Sequence, residues 1–161
     1  MRPTRIYSLT LIASAFALVL ASSCKKNNNN GGGDNISATV GATNVSGAHT
    51  QAAYSTYLDM FLIASYNVQG KDTTGFFLTI PNAKVGKAIS SDTTFLEVDY
   101  VGSNGADYAA YNQNGHVTLT INTLDSVNHK ISGIFSATAY ASANDSVLIT
   151  NGKFSSSYTK Q

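Results

Sequence analysis

The chain has 161 residues and a formal net charge of +1. That length suits one domain, not two, and so weak a charge leaves no electrostatic footprint for nucleic acid. Cys24 is the single cysteine, which excludes an internal disulfide, so the core must hold without a covalent staple.

Arg2 and Arg5 open the chain as a positive cluster, and Ile6 to Leu20 follows as a mostly apolar run. The run is short of the ~20 residues that a membrane-spanning helix needs. The small residues Ala21-Ser22-Ser23 come next. Residues 1–23 therefore read as a cleavable signal peptide. The segment Leu20-Ala21-Ser22-Ser23-Cys24 resembles a bacterial lipobox, although Leu sits four residues before the cysteine, where three is usual. The resemblance implies a diacylglyceryl group on the Cys24 thiol and acylation of the amino group freed by cleavage. Two or more acyl chains anchor a protein stably, where one binds marginally. The partner so implied is a membrane, reached through lipid on Cys24. Beyond the leader the chain carries eight Lys and no Arg against nine Asp and Glu, a net charge of −1. Without the planar fork of Arg, a dedicated phosphate or nucleotide site is disfavoured.

Residues 24–34, the cysteine and then Lys25 to Asp34, are rich in Asn and Gly with nothing to bury. They read as a flexible tether, whose ten residues span roughly 17 Å as a random coil. The run Ser22-Ser23-Cys24-Lys25-Lys26 is similar to lipoproteins of the Bacteroidota type. In that group, acidic residues after the cysteine mark export to the cell surface. Their absence here implies the periplasmic face of the outer membrane.

Residues 35–161 show period-two alternation in place of a helical period. Strands are expected at Ser37–Val40, Leu58–Tyr66, Gly75–Ile80, Thr94–Val101, Ala106–Asn112, Val117–Asn122, Lys130–Tyr140 and Ser146–Ser156, with a helical turn near Gln51–Tyr57 as an alternative. Breakers such as Pro81-Asn82, Asn104-Gly105 and Asn114-Gly115 separate them. Short gaps join antiparallel neighbours. The fold class is all-β: an antiparallel meander of about eight to ten strands, a β-sandwich or a flattened up-and-down barrel.

The C-terminal third supports a register. A hairpin loop over 125–129 pairs Leu124 with Lys130, Ile121 with Gly133 and Leu119 with Phe135, so that both strands turn their apolar sets to one face. A two-residue turn at Ala143-Asn144 then sets Phe135 against Gly152 and Gly133 against Phe154, each ring covering the bare backbone of a glycine. A bulge at Asn151-Gly152 would shift this pairing by one. Gly115-x-Val117-x-Leu119-x-Ile121, Leu124-Asp125, Ile131-Ser132-Gly133-x-Phe135-Ser136 and Ile149-Thr150-Asn151-Gly152-x-Phe154 together resemble an uncharacterised family of Bacteroidota lipoproteins with a small β domain. The resemblance is strongest over 115–155. It implies a β fold and an envelope address, and carries no activity.

Motifs for a serine hydrolase elbow, a P-loop, a dinucleotide fingerprint or a zinc helix are missing, so the sequence points to no catalytic residue, no metal and no cofactor. His49, His116 and His129 are scattered. Glu97 and Asp99 share one face of a strand and read as its solvent side, because unpaired acids are rarely buried. Tyr100, Tyr108 and Tyr111 flank the Asn104-Gly105 turn. They are candidate ligand-surface aromatics, or simply half-buried strand residues. Asp72-Thr73-Thr74, Asp92-Thr93-Thr94, Asp125-Ser126-Val127 and Asp145-Ser146-Val147 resemble the O-glycosylation acceptor motif of Bacteroidota, with Thr73, Thr93, Ser126 and Ser146 as hydroxyls. Turn chemistry explains the same residues equally well. The expected function is a membrane-anchored envelope module, structural or binding, and not an enzyme. A β-barrel or sandwich that takes a small apolar ligand or a glycan is one alternative, separated from the first by an interior filled or hollow; an enzyme is the other, and a cleft gathering His116 or His129 with two carboxylates would mark it.

Overall fold

The computed structural model describes residues 33–69, 72–112 and 114–161. The signal peptide, Cys24 and most of the tether lie outside the described residues. Among the described residues every regular element is a strand: β1 Asn35–Val40, β2 Thr43–Ser46, β3 His49–Ser55, β4 Met60–Gln69, β5 Asp72–Pro81, β6 Ala88–Ser90, β7 Glu97–Val101, β8 Asp107–Tyr111, β9 His116–Asp125, β10 Lys130–Ser142, β11 Asp145–Ser157 and β12 Thr159–Lys160. The all-β antiparallel expectation holds, with twelve strands where eight to ten are expected. Four strands are not among the eight named: β3, and β2, β6 and β12, which at four, three and two residues are too short for alternation to register. The helical alternative at Gln51–Tyr57 is corrected. Ala52 and Ala53, good helix formers, instead pair with Ile63 and Leu62 of β4, and tertiary pairing overrides their local propensity.

The strands form one sheet, ordered β12-β3-β4-β5-β7-β8-β10-β11-β1-β2, with β9 and then β6 branching from β10. All pairs of strands are antiparallel except β12 with β3. The sheet curls strongly into a half-barrel. Two features produce the curl. First, Gly47 N donates to Ile36 O of β1 and the next residue, Ala48 N, to Tyr66 O of β4, each at 3.0 Å. Adjacent residues thus tie strands from opposite ends of the sheet. A Cβ on Gly47 would run into the Ser65 hydroxyl and sit 2.8 Å from the Ser65 carbonyl carbon, so only glycine allows this approach. Second, one edge of β10 forks: Lys130–Thr138 pairs with β9, and Tyr140 pairs with Ala109 of β8.

The C-terminal register agrees with the sequence at its central pairs. Ile121 faces Gly133 and Leu119 faces Phe135. The β9–β10 loop is one residue shorter than expected, so Lys130 meets Asp125 and Leu124 meets Ile131. An irregularity between Ser132 and Gly133, where Asn122 is the extra residue, restores the frame. Across β10 and β11, Phe135 faces Gly152, Gly133 faces Phe154, and Ser142 faces Asp145 around the Ala143-Asn144 turn. The bulge at Asn151 exists, with φ 53°, but a second irregularity between Tyr140 and Ser142 cancels its shift.

The concave side of the sheet is packed. Phe76, Ile36, Leu78, Ile80, Val98, Ile121 and Ile149 are at most 1% exposed. Phe76 meets Phe135 edge-on at 6.0 Å, and Phe61 meets Tyr158 edge-on at 4.9 Å. Burying each such side chain contributes ~1.5–3 kcal/mol. Among the described residues these side chains form one packed cluster on the concave side.

Candidate functional site

Alternate residues of each strand point to the outward side of the sheet. The register sorts those residues into rows. On β9, β10, β11, β1 and β2 the outward rows are almost uncharged. Thr123, Ser132, Ser155 and Asn35 make one; Thr120, Ile134, Lys153, Ser37 and Ser46 the next; in the third, Thr118 pairs with Ser136 and Thr150 with Thr39 and Asn44, with the bulged Asn151 beside Thr150. Thr118 and Ser136 share a hydroxyl hydrogen bond of 2.8 Å. Asn151 Nδ2 reaches Thr39 Oγ1 at 3.5 Å, and that hydroxyl donates to Asn44 Oδ1 at 3.0 Å. The third row thus crosses five strands, about 19 Å.

A groove of about 360 Å³ lies in this face, lined by Thr118, Thr120, Ile134, Ser136, Asn151 and Lys153 over the backbone of Leu119, Phe135 and Gly152. The sequence makes it locally. The αL conformation of Asn151 bulges β11, and Ile134, an apolar residue at an outward position, remains 47% exposed. Alternation alone flags Ile134 as out of phase, but the groove also needs its walls from β9 and the bulged β11.

The outward face of β3, β4, β5, β7 and β8 differs. One row reads Gln51, Ala64, Phe77, Asp99 and Ala109; the next reads Ala53, Leu62, Thr79, Glu97 and Tyr111. The solvent-side reading of Glu97 and Asp99 is corrected here. Glu97 is 7% exposed, and Glu97 Oε2, Asp99 Oδ1 and Gln51 Oε1 are buried without a hydrogen-bond partner. Burial first, then the Glu97 and Asp107 charges, push the Asp99 carboxyl up to about 8. Burial and Asp107 raise Glu97, against a lowering by the Thr79 hydroxyl.

Tyr100 and Tyr108 face each other across β7 and β8, stacked at 6.2 Å at the margin of the core. Tyr108 is 9% exposed and directs its hydroxyl to Asp145 Oδ1 at 3.3 Å. Tyr111 lies on the opposite side, beside Glu97. The three tyrosines do not share a surface.

The histidines also part company. His49 packs on Tyr66 at 5.3 Å and His129 on Tyr158 at 5.3 Å. His116 Nδ1 meets Asp92 Oδ2 at 3.1 Å. Ser90 joins that pair, its hydroxyl donating to Asp92 Oδ2 at 3.2 Å. The carboxylate stands between serine and imidazole, whereas a nucleophilic serine must pass its proton to the imidazole. The trio closes a turn. Among the described residues no group of three metal-ligating side chains comes together.

Thr73, Thr93, Ser126 and Ser146 are all exposed, at the start of β5, in the turn after β6, in the β9–β10 loop and at the start of β11. Two of the motifs also do turn work. Asp125 Oδ1 accepts from the backbone N–H groups of Val127 and Asn128, each at 2.9 Å, and Thr93 Oγ1 donates to Ser90 O at 3.1 Å.

No family model, no curated protein and no solved structure matches the chain.

Proposed function

We propose that this chain is a lipid-anchored module of the cell envelope that binds rather than catalyses, held at the periplasmic face of an outer membrane by acyl chains on Cys24. The observation that carries the reading is a conjunction. A lipobox-like leader and an Asn/Gly tether precede a half-barrel whose concave side is filled by Phe76, Ile36, Leu78 and their neighbours. A packed concave side disfavours an internal apolar ligand and favours the outward face of the sheet as the contact surface. Ser90, Asp92 and His116 come nearest to a catalytic constellation, and their spatial order does not serve proton transfer.

Fractionation without detergent tests the anchor. The protein should sediment with membranes, and a Cys24→Ser variant should not; equal partition of the two would overturn it. We further propose Thr73, Thr93, Ser126 and Ser146 as O-glycosylation acceptors, since all four hydroxyls are exposed at strand ends or turns.

The groove on β9–β11 favours glycan as the ligand class. Its walls are hydroxyls and an amide, groups that both donate and accept hydrogen bonds.

A further inference from the structure

We propose that the groove over Ile134 binds a carboxylated pyranose, a uronic-acid-type sugar, with its carboxylate on Lys153 and its apolar ring face on Ile134. The inference deepens the glycan reading above and rests on it.

The chemistry of the lining selects the ligand. One exposed aliphatic side chain, Ile134, stands in the lining. A pyranose ring has a C–H face that such a side chain can desolvate. Around it stand Thr118, Thr120, Ser136 and Asn151, which can satisfy ring hydroxyls as donors or acceptors. Thr118 and Ser136 already bond each other, so their remaining donor and acceptor capacity is what a ring hydroxyl would use. At about 360 Å³ the groove is at the small end of ligand sites, which suits one or two rings and not a long acyl chain.

Charge supplies the rest. Lys153 is the one ionisable side chain in the lining, and no carboxylate lines the groove with it. Among the described residues the only ion pair is His116 with Asp92, so the Lys153 ammonium has no acidic side chain in ion-pair contact. A single ammonium supplies one point charge, with no guanidinium fork for bidentate grip, and a sugar carboxylate matches it one to one. The sugar carboxylate meets that charge at one wall while the ring lies on Ile134.

One exposed ion pair and one small ring give weak binding. A tethered array of this protein would gain affinity from a polymer of the same sugar through multivalency. The experiment titrates the mature lipoprotein in neutral detergent micelles, followed by amide NMR shifts. The ligands are glucuronate, methyl glucoside as its neutral counterpart, and an oligoglucuronate that separates a polymer source from a free sugar. Saturable shifts should map to 118–120, 134–136 and 151–153, with glucuronate ahead of methyl glucoside. Lys153→Gln should weaken glucuronate about fivefold and leave methyl glucoside unchanged. Ile134→Ser should weaken both. Equal binding of the two sugars, no effect of Lys153→Gln, or shifts confined to another face would overturn the proposal. Saturable binding of methyl glucoside alone would overturn the acidic ligand and leave the glycan reading intact. Absence of any saturable shift, in protein that still sediments with membranes, would overturn the groove and the glycan reading while sparing the anchor.

Discussion

Phe135 and Gly152 face each other across β10 and β11, and a Cβ on Gly152 would lie 2.6 Å from Phe135 Cδ1. The mirrored pair, Gly133 and Phe154, puts the Phe154 Cζ 2.6 Å from the position of a Gly133 Cβ. Each ring occupies the space that its partner's missing side chain leaves. Phe135→Ala should cost about 3–5 kcal/mol, and Gly152→Ala about 1–3 kcal/mol through overpacking. Urea melts read both. A loss below ~1 kcal/mol for Phe135→Ala would remove the ring from the core.

Gly47 makes a second glycine prediction. The side chain of Gly47→Ala would strike Ser65, which already shares a 2.7 Å hydroxyl contact with Thr50. The substitution should loosen the stitch between β1 and β4, with a loss of about 1–3 kcal/mol and faster amide exchange at Ala48. Unchanged protection at Ala48 would mean that the curl is set elsewhere.

Asp99 predicts a pH response. Its folded carboxyl is raised to about 8 from an ordinary value of 3.8. Below the ordinary value both states are protonated and burial carries no electrostatic penalty. As pH rises toward the folded value, the unfolded chain ionises and the folded one does not, so stability falls across that window. Glu97 and Asp107, also raised, add to the slope in the same direction. The melting midpoint should drop by several degrees between pH 4 and pH 8, and Asp99→Asn should flatten much of that fall. A flat wild-type profile would show that Asp99 ionises freely in the folded state.

Asp125 acts in the opposite sense. Hydrogen bonds from Asn128 and Val127 hold its carboxyl below 3.8. A depressed folded value gives stability that is present above the unfolded value and lost as pH falls through the folded one. Asp125→Ala should lower the melting midpoint at neutral pH, and the difference from wild type should narrow in acid. A constant difference down to the acid limit would assign the effect to packing alone.

The β9–β10–β11 register was legible because alternation, turn residues and the two Gly-x-Phe repeats all agree. The Asn-Gly pair at 151–152 also signalled its bulge, but the irregularities at Asn122 and Ala141 were not legible, since an extra residue in a strand carries little sequence signal. They compensate in pairs, or against a shorter loop, so the central pairings survive. β3 was obscured by Ala52 and Ala53, whose local preference is helical. Glu97 and Asp99 misled because alternation orders faces but does not say which outward face is withdrawn from water. The groove was only half visible: Ile134 breaks the polar outward pattern of β10, but its walls come from side chains of three strands whose exact register the sequence leaves open.

Intact mass of the protein purified from its native host, with its N-terminal peptide sequenced, tests the account most directly. The account predicts a chain beginning at Cys24, carrying the mass of a diacylglyceryl group and an amide-linked acyl chain on that residue, with any excess mapping to Thr73, Thr93, Ser126 or Ser146. A free Cys24 thiol on a chain that remains soluble without detergent would contradict it.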